Sequence, residues 1–258
     1  EPHIEAGGSV ANTLAGIALL GGTTLFKGKV GKDSNGDLYE DRMITAGVDV
    51  DLIQVNGSTG TALVLVTQDG QRTIQVSLDD SVMLQPGDLS RDQISRSNYL
   101  YVEGYMSANP ASARFAEEAM AVAQALGIPV ALTYSDPTIV EAFHYWIKKT
   151  TRNLVDVIFC NESEGMVYSQ TSSPAAALKE MAKHCQLIFM TCGKDGSLIY
   201  DNGELIEIDS HPIQVVDTTG AGDMYAAGIL YGLTHDLGVK KAGLIASYAS
   251  AQVVSKFG

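Results

Sequence analysis

The chain has 258 residues, of which 45% are apolar and 18% charged, a composition typical of a globular protein with one or two domains. It carries 17 Lys and Arg against 30 Asp and Glu, which gives a net charge of −13. An acidic field of this size excludes a broad surface for nucleic acid or anionic membranes, but a local phosphate site remains compatible with it. No apolar run approaches the roughly 20 residues that a membrane-spanning helix needs.

The first half of the chain contains two kinds of pattern. Residues 7–20 predict a glycine turn and a small-residue helix, followed by a strand over 25–31 and a short helix over 37–46. Residues 48–80 then contain three runs rich in β-branched residues, separated by the turn sequences NGSTG and QDGQ. This pattern favours antiparallel hairpins in a small sheet set apart from the main body.

From residue 98 onward, strand and helix patterns alternate. The predicted strands cover 98–105, 129–137, 156–161 and 186–193, with a hairpin over 197–208, and the predicted helices cover 111–127, 138–152, 174–185, 221–235 and 239–256. Such alternation is typical of a mostly parallel sheet with helices on both faces. We therefore predict one α/β body formed by 1–47 and 81–258, with a β insertion at 48–80.

The three cysteines, Cys160, Cys185 and Cys192, form no CxxC pair. Their odd number and wide spacing argue against a disulfide framework and a structural zinc site. We expect small, buried or half-buried apolar side chains in a reducing compartment, and hence a cytoplasmic protein.

The sharpest local signal is DTTGAGD at 217–223, which leads into a predicted helix. Backbone N–H groups at a helix start have no intrahelical partner and attract anions, and glycines let a phosphate approach them closely. Asp223 could accept a proton from a hydroxyl group that attacks the phosphorus, or it could simply cap the helix. The third glycine of a dinucleotide-binding fingerprint is missing, which argues against a nicotinamide-dependent oxidoreductase, and the chain has no Walker A loop.

Together with GGSVAN at 7–12, the DTTGAGD segment resembles the paired signatures of the ribokinase-like, or PfkB, family of sugar and nucleoside kinases. Three lesser motifs agree in order, namely VGKDSNG at 30–36, NESE at 161–164 and TCGKDG at 191–196. The resemblance covers essentially the whole chain. It implies a three-layer α/β/α body with a mostly parallel central sheet and a small β-sheet lid, which residues 48–80 would form.

The resemblance also implies a reaction, in which a hydroxymethyl group attacks the γ-phosphate of ATP. Asp223 matches the family's catalytic base. Gly220, Ala221 and Gly222 match the turn whose amides, with that of Asp223, form an anion hole. Positioning and charge stabilisation dominate phosphoryl transfer, so a base and an anion hole are a sufficient minimal set.

The cofactor positions follow in the same way. Asn161 and Glu164 match the motif that organises Mg²⁺ and phosphate through water, although NESE alone is also typical of a helix cap. Thr191, Gly193 and Gly196 match the strand end and loop that bind the nucleotide, although TCGKDG alone is only a turn sequence.

The remaining positions concern the acceptor and a monovalent cation. Gly7, Gly8 and Asn12 match the acceptor-binding segment, with Asn12 in a surface role as the alternative. Asp217 and Thr219 match positions near a K⁺ site in potassium-activated members, and an Asp that caps the following turn is the alternative. The expected partner is a small sugar or nucleoside, with no nucleic acid or membrane, and the lid is expected to form a homodimer contact.

The sequence departs from the family pattern at three places. Nothing before Gly7 supplies the family's first strand and its acidic residue, so we expect the natural chain to begin earlier, and to continue past Gly258. Met224 and Tyr225 follow the base where the family has a small residue and Phe, which we expect to change packing only.

The acceptor stays open at this point. LYVEGY at 100–105 and ALTYSDP at 131–137 resemble the adenosine-kinase-like branch, which slightly favours an adenosine-like acceptor. The segment 48–80 has no aromatic residue to stack on a base, which favours a fructokinase-type or ribokinase-type sugar acceptor. A catalytically idle binding protein on the same fold is the alternative from another class.

Overall fold

The computed structural model describes residues 4–66, 72–213 and 216–255, and the chain divides into two compact units, Glu1–Leu84 and Gln85–Gly258. No helix in the described ranges is long and apolar enough to cross a membrane.

Within residues 4–66 and 72–84, the first unit contains two α-helices and four strands. In chain order these are α1 Ser9–Leu19, β1 Leu25–Gly31, α2 Ser34–Thr45, β2 Asp49–Val55, β3 Thr61–Val66 and β4 Arg72–Ser77. β1 and β2 pair in parallel, with Leu25 opposite Asp49, and α2 is the crossover between them. β3 and β4 form an antiparallel hairpin, with Thr61 opposite Ser77.

The expectation of antiparallel hairpins throughout 48–80 was therefore wrong for the first β-branched run of this segment, which forms β2. β2 is a parallel partner of β1, because α2 returns the chain to the same end of β1 and so forms a βαβ unit. The β-branched pattern of 49–55 identified a strand but carried no information about its partner. Whether 48–80 acts as a lid stays a prediction.

Asp33 connects the two parts of this unit. Its carboxylate accepts hydrogen bonds from the amide of Gly36 at 2.8 Å, where it caps α2, and from the amide and hydroxyl of Thr59 at 2.8 and 2.6 Å. The bonds from Thr59, and then that from Gly36, lower the pKa of Asp33. A Cβ at Gly31 would lie 2.3 Å from the carbonyl oxygen of Gly57, so the backbones approach too closely for any other residue. Through Asp33 and Gly31, the VGKDSNG segment thus holds the turn after β1 against the loop that leads into β3.

The second unit is built on a six-stranded sheet in the order β10-β9-β8-β7-β6-β5. Its strands are β5 Leu100–Glu103, β6 Val130–Thr133, β7 Val157–Asn161, β8 Leu187–Thr191, β9 Ser197–Asp201 and β10 Glu204–Ile208. β5 to β8 run parallel, and β9 and β10 form the predicted antiparallel hairpin at one edge.

In the part of this unit that the structure describes, eight α-helices accompany the sheet: α3 Arg91–Ser95, α4 Pro110–Ala125, α5 Pro137–Ala142, α6 His144–Leu154, α7 Glu162–Ser169, α8 Pro174–Met181, α9 Ala221–Thr234 and α10 Val239–Val254. Most agree with the predicted helices. The pattern over 138–152 divides into α5 and α6, and the short helices α3 and α7 were not predicted as elements, although NESE at the start of α7 was identified as typical of a helix cap. The core comprises the apolar strand residues and the helix faces against them, and all three cysteines are buried, as expected.

α9 and α10 pack with almost no side-chain volume between them. A Cβ at Gly228 would lie 2.5 Å from the Cα of Ala246, and a Cβ at Gly232 would lie 2.5 Å from the Cβ of Ala242. Ala242 and Ala246 are fully buried. The two glycines therefore set the distance between the helix axes.

Gly228→Ala should destabilise the fold by about 1–3 kcal/mol, although alanine is the better helix former, because the new methyl group overlaps backbone. The matched control is Gly222→Ala on the same helix, where a Cβ would meet no atom within 4 Å. The free energy of unfolding from urea titration checks both variants. Equal stability of the two would show that the helix separation does not depend on Gly228.

Candidate functional site

The start of α9 is the centre of the candidate site. Gly220 directly precedes α9 and has a φ of 72°, a left-handed conformation that favours glycine. Because glycine has no side chain, no side-chain hydrogen bond caps the helix at this position. The amide of Ala221 donates to the carbonyl of Thr218 at 3.3 Å, so this amide takes part in a turn. Gly222 is exposed, and a Cβ there would meet no atom within 4 Å. The first turn of α9 thus presents backbone amides beside open space, which is the geometry of an anion site.

Asp223 lies in this first turn as its acidic residue and is half-buried. It does not serve as the residue that caps α9, because that position belongs to Gly220. The alternative in which Asp223 is the N-cap residue of α9 is therefore wrong.

Asp217 and Thr219 lie just before the helix. The backbone amide and the hydroxyl of Thr219 both donate to one oxygen of Asp217, at 2.8 and 2.7 Å. This is the turn-capping arrangement that the sequence left open as an alternative to cation binding. Within the described ranges, no group of three or more His, Cys, Asp or Glu side chains could hold a metal ion. The monovalent-cation role of Asp217 and Thr219 stays a prediction.

The parallel strands bring a second set of residues to one edge of the sheet. Asn161 ends β7 and lies opposite Thr191, which ends β8. Asn161 and Glu164 form a capping box at the start of α7: the Asn161 side chain accepts from the Glu164 amide at 2.9 Å, and the Glu164 carboxylate accepts from the Asn161 amide at 3.0 Å. The side-chain amide of Asn161 also donates to Glu164, at 2.6 Å.

Glu164 is only 5% exposed. Burial raises its pKa to about 7, with the charge of Asp136 adding to the rise and the hydrogen bond from the Asn161 amide opposing it. A carboxylate in this position would gain from a nearby positive charge, since desolvation is the main cost of its ionised form. Both of its oxygens already accept hydrogen bonds from Asn161, so contact with a hydrated ion through water fits better than direct ligation.

The loop after β8 has two glycines that differ in their structural role. Gly193, with a φ of 55°, begins a single 3₁₀ turn at Gly193–Asp195, and Gly196, with a φ of 85°, follows it. A Cβ at Gly196 would lie 2.1 Å from the carbonyl oxygen of Ile208, so packing alone requires glycine there. A Cβ at Gly193 would meet nothing within 4 Å, so this glycine leaves open space beside the turn.

Tyr105 was not among the predicted site residues, although it lies just after the carboxyl end of a parallel strand. It follows β5 in a 3₁₀ turn at Gly104–Ala108, and its side chain is 45% exposed. Partial burial raises the pKa of Tyr105 to about 12, together with the charges of four acids. These four acids are Asp136, Glu103, Glu164 and Asp223. Glu103 ends β5, Asp136 and Glu164 follow β6 and β7, and Asp223 lies in the first turn of α9. The rule that parallel strands end at one edge, applied to 98–105, would have found Tyr105.

The predicted acceptor residues lie in the first unit. α1 begins at Ser9, after Gly8 with a φ of 112°, and the amide of Asn12 donates to the Gly8 carbonyl at 2.9 Å. Asn12 lines a cleft of about 270 Å³ between α1 and α2, together with Glu5 and Arg42. The acceptor role of Gly7, Gly8 and Asn12 stays a prediction.

Tyr225 shows how the chain accommodates its departure from the family pattern. Its hydroxyl is buried and donates to the hydroxyl of Ser197 on β9 at 2.7 Å. Burial raises the pKa of Tyr225 well above its usual value. The hydroxyl oxygen of Tyr225 thus has a hydrogen-bond partner inside the core. Whether the change affects packing only stays a prediction.

Comparisons with known proteins cover the whole chain. A family model described as pfkB family carbohydrate kinase matches residues 1–258. An adenosine kinase from Sinorhizobium meliloti is 33% identical with a TM-score of 0.95, covering 100% of this chain and 80% of that chain. A fructokinase from Escherichia coli is 29% identical over 241 residues, covering 88% of this chain and 76% of that protein.

A third match shows the fold alone. A protein from Escherichia coli assigned as a ribokinase II, in complex with ATP and Mg²⁺, has a TM-score of 0.89 at 20% identity, covering 100% of this chain and 86% of that chain. These matches confirm the predicted ribokinase-like α/β fold, with its mostly parallel central sheet and an additional small antiparallel sheet.

Proposed function

Since the chain belongs to the pfkB family of carbohydrate kinases, which transfer a phosphoryl group to an alcohol, we propose that it transfers the γ-phosphate of ATP to a hydroxymethyl group of a sugar or ribonucleoside. One observation carries this proposal: the start of α9 combines an uncapped helix terminus, open space beside Gly222, and the carboxylate of Asp223 in one turn.

In this proposal Asp223 accepts the proton of the acceptor hydroxyl as its oxygen attacks the γ-phosphorus. The bond from that phosphorus to the bridging oxygen breaks, and ADP leaves with the electron pair. The amides at the start of α9, above all that of Gly222, stabilise the negative charge on the transferred group. A carboxylate beside a phosphate is otherwise unfavourable, so its presence there needs a reason such as proton transfer.

The nucleotide and Mg²⁺ would occupy the edge formed by β7 and β8. The open space beside Gly193 can admit a nucleotide near the end of β8, where Thr191 lies. Asn161 and the buried Glu164 would hold water molecules of a hydrated Mg²⁺, which supplies charge neutralisation of the phosphates when bound. We also propose that Asp217 and Thr219 lie near a K⁺ site that activates the enzyme. The alternative is that these two residues only stabilise the turn before α9.

For the acceptor we favour a nucleoside of the adenosine type. The identity of 33% with an adenosine kinase over the whole chain supports it, and the exposed ring of Tyr105 offers the aromatic surface that residues 48–80 lack. The alternative is a fructokinase-type or ribokinase-type sugar kinase, which the identity of 29% with a fructokinase supports. An idle binding protein is disfavoured, because it would have no use for Asp223 beside an anion site.

We also propose that the β3–β4 hairpin forms a homodimer contact. Val64 lies opposite Ile74 on one face of the hairpin, and the exposed fractions of these side chains are 47% and 56%. Leu63 and Leu65 on the other face are each 54% exposed. A two-stranded hairpin with apolar residues on both faces is marginal in water, so a second copy that covers one face would stabilise it.

Asp223→Asn should lower kcat by several orders of magnitude while the thermal unfolding midpoint stays near that of the wild type, because the amide cannot accept the proton. ADP release with Mg-ATP and each acceptor, coupled to a reporter reaction, measures the effect. Asp236→Asn is the matched control, since Asp236 lies beyond the opposite end of α9. Turnover of Asp223→Asn within tenfold of the wild type would remove Asp223 as the base.

Tyr105→Ala should lower kcat/KM for adenosine by about tenfold or more, because stacking of a base on an aromatic ring contributes roughly 1–3 kcal/mol. Tyr105→Phe keeps the ring and should retain most of this activity. Fructose and ribose, tested in parallel, should be poor acceptors for all three proteins. A sugar that is turned over faster than any nucleoside, with no effect of Tyr105→Ala, would favour the sugar kinase.

Val64→Asp should convert a dimer to a monomer, because it places a charge in the proposed contact. Sedimentation velocity at several protein concentrations measures the association state. The control is Leu244→Asp, which changes an equally exposed leucine on α10 (50%). A wild type that remains monomeric at high concentration would contradict the dimer.

A further inference from the structure

α10 holds the turn before α9 through several contacts. The carbonyl of Val254, in the last turn of α10, accepts hydrogen bonds from the amides of Val216 and Asp217 at 2.8 and 3.3 Å. Val253 lies beside Gly220, 3.8 Å from the position that a Cβ would occupy. The segment 216–220 therefore lies against the C-terminal turns of α10.

One further contact reaches the helix start itself. The hydroxyl of Ser250 on α10 donates to the carbonyl oxygen of Ala221 at 2.9 Å. The C=O of Ala221 and the N–H of Gly222 belong to one planar peptide unit, so fixing the carbonyl also fixes the amide. A hydrogen bond to the carbonyl oxygen also polarises the peptide and makes its N–H a stronger donor.

This bond is not what a serine in a helix usually makes. A helical serine commonly returns its hydroxyl to a carbonyl three or four residues earlier in its own helix. Ser255 follows this habit, with a bond of 2.8 Å to the carbonyl of Gln252. Ser250 instead reaches across to the neighbouring helix, which the close α9–α10 packing at Gly228 allows.

We propose that Ser250 is a positioning residue for phosphoryl transfer, and that it orients and polarises the peptide whose amide, that of Gly222, stabilises the transferred phosphoryl group. This inference rests on the proposed function. Ser250 touches neither ATP nor the acceptor in this account, and it acts only through the Ala221–Gly222 peptide.

The inference predicts an effect on the transition state and little effect on substrate binding. Ser250→Ala should lower kcat by about three- to tenfold, the range expected for one neutral hydrogen bond, with KM for ATP and for the acceptor within about twofold. Ser250→Thr keeps a hydroxyl and should restore kcat. The matched control is Ser247→Ala, because Ser247 on the same helix makes the same kind of bond, at 2.9 Å, to the carbonyl of Asp209 after β10.

The experiment measures kcat and both KM values for the wild type and the three variants, with thermal unfolding midpoints. It also compares the affinity for ADP alone with that for ADP plus aluminium fluoride and Mg²⁺, which imitates the transferring phosphoryl group. We expect Ser250→Ala to weaken the fluoride complex by the same factor as kcat and to leave ADP binding unchanged. If Ser250 had only a structural role, the substitution would change the affinity for ADP alone and the affinity for the fluoride complex by the same factor.

Three results would overturn the inference in an active enzyme: a kcat for Ser250→Ala within twofold of the wild type, an equal loss in Ser247→Ala, or no rescue by a folded Ser250→Thr. A wild type that binds ADP but phosphorylates no acceptor and binds no fluoride would overturn the proposed function, and this inference with it. The activity of the wild type therefore distinguishes the two failures.

Discussion

The absence of side chains at two positions of α9 determines how close α10 can lie. Gly228 and Gly232 face Ala246 and Ala242 at distances that leave no room for a Cβ. Because the helices are this close, the last turns of α10 can reach the loop at 216–221 with backbone and side-chain hydrogen bonds. The proposed anion site at the start of α9 thus depends on packing about two to three turns away from it.

The chain is acidic overall, with a net charge of −13. Glu103, Asp136 and Glu164 end or follow three of the parallel strands, so acidic side chains collect at the edge of the sheet where phosphates are proposed to bind. Two sources of positive potential can offset this: the amides at the start of α9 and a bound metal ion. Each oxygen of the buried Glu164 accepts a hydrogen bond from Asn161, an arrangement consistent with the proposed contact to a hydrated Mg²⁺ through water. Asp223 differs from the other acids because it lies in the same helical turn as the amides.

Much of the second unit could be predicted from the sequence, because alternating apolar strands and amphipathic helices have clear periods and glycine boundaries. The start of α9 was predictable for the same reason, since glycines followed by an acid at a helix start have a physical meaning of their own. The partner of β2 was not predictable, because a β-branched run specifies a strand and not its neighbour. Tyr105 and Ser250 were not predicted as site residues, because the role proposed for each depends on a residue distant in sequence: the charge of Asp223 contributes to the raised pKa of Tyr105, and Ser250 donates a hydrogen bond to Ala221.

A crystal structure of the protein with ADP, aluminium fluoride, Mg²⁺ and an acceptor would show whether the transferred phosphoryl group binds at the start of α9. We expect the fluoride to lie within hydrogen-bond distance of the Gly222 amide, with a carboxylate oxygen of Asp223 at the acceptor hydroxyl. A fluoride bound elsewhere, with the start of α9 in contact only with solvent, would contradict this expectation.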